Sequence, residues 1–120
     1  MGESSVFSRI ISGELPARRL YEDDQCIVIE DRAPQAPTHL LIIPRKPLVS
    51  LVDAEPDDAP LLGHLMWVAS TIARRLGLEK GFRLVINNGR EAGQTVFHLH
   101  IHLLAQREMP EAGLADDLQG

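Results

Sequence analysis

The chain has a single cysteine, Cys26, so an internal disulfide framework is excluded. Cys26 opens the apolar run Cys26-Ile27-Val28-Ile29, which marks it as a buried strand residue of a protein in a reducing compartment and not as a reactive thiol. Nowhere are there 18 consecutive apolar residues, so no membrane-spanning helix is expected. The N-terminus, with Glu3 ahead of Val6, lacks the basic head and apolar core of a signal peptide. These absences predict a soluble, cytoplasmic protein without a membrane partner. Positive charge is also short: 12 Lys and Arg stand against 17 Asp and Glu, and the net charge of −5 argues against a nucleic-acid surface. A small anionic ligand held by local backbone donors stays compatible with that charge. There is no repeat, low-complexity tract or interdomain linker, and 120 residues with 44% apolar content suffice for one core. The expected organisation is one domain over residues 1–120, with a core at about 5–109 and an acidic tail at 110–120 that either moves freely or docks on a partner subunit.

What the sequence does have is histidine in register. Phe97 to Ala105 reads Phe-His-Leu-His-Ile-His-Leu-Leu-Ala. An alternation of period two puts His98, His100 and His102 on one face of a strand and Leu99, Ile101 and Leu103 on the other. Same-face neighbours stand about 6.6 to 6.8 Å apart, close enough for imidazoles to converge on one small group. Two chemistries fit. Imidazoles bind zinc, or one imidazole acts as a nucleophile while others hold its tautomer, bind an oxyanion and handle the leaving-group proton.

The remaining elements are read in chain order. Ser4 or Ser5 caps a short helix over Val6 to Ser12 that ends at Gly13. Arg19–Asp23 and Cys26–Glu30 form a hairpin, followed by a proline-stiffened connection from Asp31 to Thr38. His39 opens the buried strand Leu40-Leu41-Ile42-Ile43. Asp57 or Asp58 caps the main helix, where Leu61, Leu65, Val68, Ile72 and Leu76 form the apolar stripe before Gly77. Met66 and Trp67 flank that stripe and are expected to pack in the core. His64, on the same helix, is expected to be an ordinary surface or interface residue with no nearby carboxylate. Phe82 to Asn87 is another strand, and Asn88 to Thr95 a glycine-bearing loop that feeds the histidine strand and offers donors to an oxyanion.

The segment His98-Leu99-His100-Ile101-His102-Leu103-Leu104 matches the His-φ-His-φ-His-φ-φ signature, φ being apolar, and resembles the histidine triad (HIT) superfamily. Phe7-Ser8-Arg9-Ile10-Ile11, Pro34-Gln35-Ala36-Pro37-Thr38-His39, Leu61-Leu62-Gly63-His64-Leu65 and Gly93-Gln94-Thr95-Val96-Phe97 extend the likeness, in one order, to its Hint branch. The resemblance implies an α+β fold, a HIT-like five-stranded antiparallel sheet with two helices, continued across a homodimer. It implies a purine nucleoside phosphoramidase acting on AMP or GMP conjugates through a nucleotidyl-histidine. His100 matches the nucleophile, His102 the residue that assists leaving-group protonation, and His98 and His39 the supporting imidazoles. Asn87, Gly93, Gln94 and Thr95 match phosphate and leaving-group contacts, and Asp31 the carboxylate that takes the ribose hydroxyls. Val6, Phe7, Ile10, Leu15 and Ile29 correspond to the apolar base pocket. Arg32 stands where the family more often has an aliphatic residue. The tryptophan-containing terminus of some animal relatives is missing after Arg107-Glu108-Met109-Pro110.

No carboxylate cluster for magnesium is evident, so metal-independent transfer without a cofactor is the expectation. Two other readings compete. One is a zinc-binding module that uses two or three of His39, His98, His100 and His102. The other is a nucleotide-binding or protein-interaction module whose hydrolytic activity is incidental.

Overall fold

A computed structural model describes residues 5–111, and the greater part of the predicted acidic tail lies outside them. Five strands form one antiparallel sheet: β1 (Arg19–Glu22), β2 (Cys26–Glu30), β3 (Thr38–Pro44), β4 (Phe82–Val85) and β5 (Ile101–Ala105). Their spatial order is β1-β2-β3-β5-β4. Two α-helices, α1 (Val6–Ile11) and α2 (Ala59–Arg75), complete the expected α+β architecture.

Alternation divides the sheet into two faces. Cys26, Val28, Leu40, Ile42, Leu99, Ile101, Leu103 and Ala105 meet α2 through Leu65, Val68, Ala69, Ile72 and Ala73. On the other face Ile27, Ile29, Leu41 and Ile43 pack under α1 through Phe7 and Ile10. β3 is buried along nearly its whole length because both layers cover it. At the start of α1, Ser5 accepts the Ser8 N–H at 3.0 Å, the capping role expected of it. Gly13 and Gly77 take φ values of +88° and +70° beyond the two helix ends, which L side chains adopt only with strain.

Four expectations need correction. The histidine segment is a strand only from Ile101 onward; the Leu99 N–H donates to the Leu48 carbonyl, a loop group, at 2.7 Å instead of joining a strand ladder. The side alternation nevertheless survives, since Leu99 still enters the α2-side core. Met66 and Trp67 are not core but 50% and 60% exposed, because α2 meets the sheet on one side only; Arg74 lies over the Trp67 ring at 5.2 Å. Asp58 precedes α2 without a side-chain cap bond, and its carboxylate takes the Glu55 N–H and the Lys46 ammonium instead. His64 does have a carboxylate: its Nε2 lies 2.6 Å from Asp23 Oδ2, tying α2 to the β1–β2 turn. Burial works against the Asp23 charge. Hydrogen bonds from His64, the Gln25 and Cys26 N–H groups and the Tyr21 hydroxyl outweigh it and hold the carboxyl well below the usual range. Burial pushes the Cys26 thiol up to about 12, in keeping with its inert strand position.

Candidate active site

β3 and β5 bring His39 and His102 to the α1-side face, and the residues before β5 add His98 and His100. All four rings are at most 4% exposed. The Phe7 ring, carried by α1, lies in T-shaped contact with His100, centroids 4.8 Å apart, and with His98 at 6.2 Å. His100 and His102 lie 5.0 Å apart, His39 and His102 5.2 Å.

The partners of the ring nitrogens fix where each proton sits. A carbonyl only accepts, so His98 Nε2–H donates to the Pro44 carbonyl at 2.8 Å and leaves Nδ1 as an acceptor, with the Ser5 and Ser8 hydroxyls 3.3 and 3.2 Å away. His100 Nδ1–H donates to the His98 carbonyl at 2.7 Å, which leaves the lone pair on Nε2. His39 Nδ1 accepts the Gln35 N–H at 2.9 Å, so its proton is on Nε2, 2.9 Å from His102 Nδ1 and 3.4 Å from Asp31 Oδ2. His102 Nδ1 therefore accepts, and its own proton is on Nε2. That atom is buried and has no partner among the described residues; the other such side-chain atom is Nδ2 of Asn87.

Burial lowers the pKa of His39, His98 and His100. For His102 burial, then the neighbouring His100 and His39, lower it to about 4. At neutral pH the cluster is a set of neutral imidazoles, one with a lone pair available and another with a free N–H.

A cavity of about 580 Å³ opens onto His100 and His102. Of the residues expected at a ligand, Val6, Phe7, Ile10, Leu15, Ile29, Asp31, Arg32 and Thr95 also line it, giving an apolar slot that leads past a carboxylate to the imidazoles. His39 and His98 do not reach the wall and act behind it. Asn87, Gly93 and Gln94 do not line it either. Gln94 is buried, with its amide engaged on both ends: Nε2 donates to the Val49 and Val96 carbonyls at 2.7 and 3.0 Å, and Oε1 accepts the Gly89 N–H at 2.7 Å. Gly89 and Gly93 bound the intervening turn with φ of +93° each. Gln94 thus organises the loop that presents Thr95.

Sequence reading missed Pro16, Ala17, Arg18, Glu30, Leu41 and Val96 in the cavity wall. Leu41 shares its strand face with His39 and Ile43, so alternation along β3 contains the signal; Arg18 has none. The Gln35 N–H and the carbonyls of Pro44 and His98 were equally invisible, being backbone groups. Asp31, His39 and His102 also offer three ligand atoms close enough to hold a metal ion. The same closeness follows from the proton that His39 shares with its two neighbours.

The chain is similar to known proteins over nearly its whole described length. A HIT-like protein of Synechocystis is 55% identical over 107 residues, 89% of this chain and 94% of its own length. The solved structure of a HIT family hydrolase from Clostridium thermocellum is 43% identical, with a TM-score of 0.89, and covers 95% of this chain and 100% of that one. A histidine triad nucleotide-binding protein from Candida albicans is 32% identical, with a TM-score of 0.76 and coverage of 94% and 88%. The model of the HIT domain matches residues 12–109, nearly all of the described fold and the whole histidine segment, and the chain belongs to the HIT domain family.

Proposed function

We propose that the protein hydrolyses purine nucleoside phosphoramidates, as in the Hint branch, through a nucleotidyl-His100 intermediate. The observation that carries this reading is the pairing of a lone pair at His100 Nε2 with an unpartnered, buried N–H at His102 Nε2 beside one cavity.

The base enters the slot of Val6, Phe7, Ile10, Leu15 and Ile29, and Asp31 accepts the ribose hydroxyls. The phosphoryl group then faces His100, with Thr95 beside it and the Gly93–Gln94 backbone supporting the loop. His100 Nε2 attacks phosphorus, the P–N bond breaks, and the electron pair leaves with the amine nitrogen. The developing positive charge on His100 is held through its Nδ1–H by the His98 carbonyl. In the free protein His102 is neutral and offers a hydrogen bond to a phosphoryl oxygen. Its Nε2–H then bonds the departing nitrogen, which takes up one proton from solvent as the P–N bond breaks. Water then attacks phosphorus and loses one proton to solvent, and His100 is released with the mononucleotide as product. Atoms balance as P–N plus water giving P–OH and amine.

Assembly as a homodimer belongs to the same proposal: β4 is an edge strand with Phe82 exposed, and α2 presents Met66 and Trp67. Zinc is a second reading, favoured by the Asp31, His39 and His102 ligand atoms. Metal analysis of the chelator-treated protein separates the two, since full turnover without bound zinc removes a catalytic metal.

The test is a panel of adenylyl and guanylyl amines, esters and dinucleoside polyphosphates, with wild type and His100→Ala. Turnover of the amines by wild type, lost in a folded His100→Ala, is expected. A His100→Ala variant with normal kinetics would sink the proposal.

A further inference from the structure

The direction of the imidazole chain rests on one backbone N–H, that of Gln35 on His39 Nδ1, with the Asp31 carboxylate 3.4 Å from His39 Nε2 favouring the same tautomer. Were Gln35 N–H not directed at His39 Nδ1, His39 could carry its proton there and present a lone pair at Nε2. His102 Nδ1 would then have to donate, and Nε2 of His102 would turn a lone pair, not a proton, toward the cavity. A donor for phosphoryl oxygens would become a repelling acceptor.

Gln35 itself is exposed, in the connection between Asp31 and β3 that Pro34 and Pro37 stiffen without attaching it to anything. What attaches it is the segment that follows the histidine strand. Gln106 has φ +71°, the one positive φ of a non-glycine residue among those described, and turns the chain back over the connection. Arg107 Nη1 then donates to the Gln35 carbonyl at 3.0 Å. Beside it Thr38 Oγ1 donates to Gln106 Oε1 at 2.6 Å, and Ala36 is buried against Leu104. Apart from the His39 ring itself, Arg107 makes the one side-chain hydrogen bond to the Gln35 backbone from outside the connection, among the described residues.

We propose that Arg107 is a positioning residue: by holding the Gln35 carbonyl it keeps the adjoining N–H on His39 Nδ1, and so keeps the cavity-facing proton on His102. The strand that supplies the imidazoles thereby also supplies, two residues past its end, the clamp that sets their tautomers. The consequence for catalysis rests on the phosphoramidase reading above; the tautomer itself does not.

The test compares wild type with Arg107→Met, which keeps length and removes the donor, and Arg107→Lys, which keeps a donor. Nitrogen-15 NMR of labelled histidines reads the tautomer of each ring without substrate. Wild-type His39 should be wholly the Nε2–H form. In Arg107→Met the Nδ1–H form of His39 should appear while His98 keeps its wild-type signal, with Arg107→Lys in between. On phosphoramidates kcat should fall about tenfold in Arg107→Met, the scale of one hydrogen bond, with KM within about twofold. An unchanged His39 in folded Arg107→Met overturns the proposal, as does a parallel change at all four rings, which would mean general loosening. Should Arg107→Met not fold, Arg107→Lys carries the same comparison. If wild type proves inactive on phosphoramidates, the proposed function fails while the NMR comparison still decides the role of Arg107.

Discussion

Lowering the pH from 7.5 to 5.0 should destabilise this protein, and His102 should account for much of the loss. In the unfolded chain a histidine titrates near 6.5; in the fold burial and the two neighbouring rings hold His102 at about 4. Between those values the unfolded state binds a proton that the native state does not. Stability therefore rises with pH through this window and is fully present above the unfolded value. For one group the loss is about 2 kcal/mol at pH 5 and about 3 kcal/mol at pH 4. His39, His98 and His100 are lowered as well and add losses of the same sign. Asp23 contributes little here, because its lowered pKa gives stability that is lost only as pH falls below the ordinary carboxylate range. Urea unfolding at the two pH values, followed by circular dichroism, measures the difference. His102→Gln keeps an amide donor and cannot titrate, so its loss between pH 7.5 and 5.0 should be smaller by about 2 kcal/mol. An equal loss in wild type and His102→Gln would refute the argument that His102 is neutral in the fold.

Two further perturbations follow from the site. Asp31→Ala should weaken ribonucleotide binding by about 1.5 to 3 kcal/mol, the range for hydrogen bonds to a charged group, and deoxyribonucleotides less; calorimetry showing equal losses for both would remove the ribose assignment. Gln94→Glu should destabilise by about 1 to 3 kcal/mol, since a carboxylate cannot donate to the Val49 and Val96 carbonyls, and should lower kcat by displacing Thr95; an unchanged urea midpoint at pH 7.5 would contradict the loop-organising role.

The individual strands were legible in the sequence because they rest on local periodicity, whereas the five-stranded sheet and the apolar slot were implied only by the family resemblance. Cys26-Ile27-Val28-Ile29 and Leu40-Leu41-Ile42-Ile43 are short continuous apolar runs, and both faces of their strands are covered. The histidine alternation gave the side on which each ring lies even where the ladder is absent, because Leu99 anchors the register in the core. Met66 and Trp67 were misplaced because helical spacing gives an apolar stripe without its width, and the width depends on how much of α2 the sheet covers. His64 and Asp23 are 41 residues apart, and no local pattern links them. The tautomers of His39, His98 and His100 depend on the Gln35 N–H and the carbonyls of Pro44 and His98, groups every residue of their kind possesses. Side-chain chemistry was therefore readable, and the backbone that orients it was not.

The central claim is that His100 attacks phosphorus, and it is tested most directly by quenching wild type during turnover of an adenylyl amine and mapping the modified peptide by mass spectrometry. Nucleoside monophosphate should be found on His100, and a substrate chiral at phosphorus should be hydrolysed with retention, the outcome of two inversions. Turnover with inversion and no nucleotide on His100 would mean that water attacks directly, and the account would be wrong.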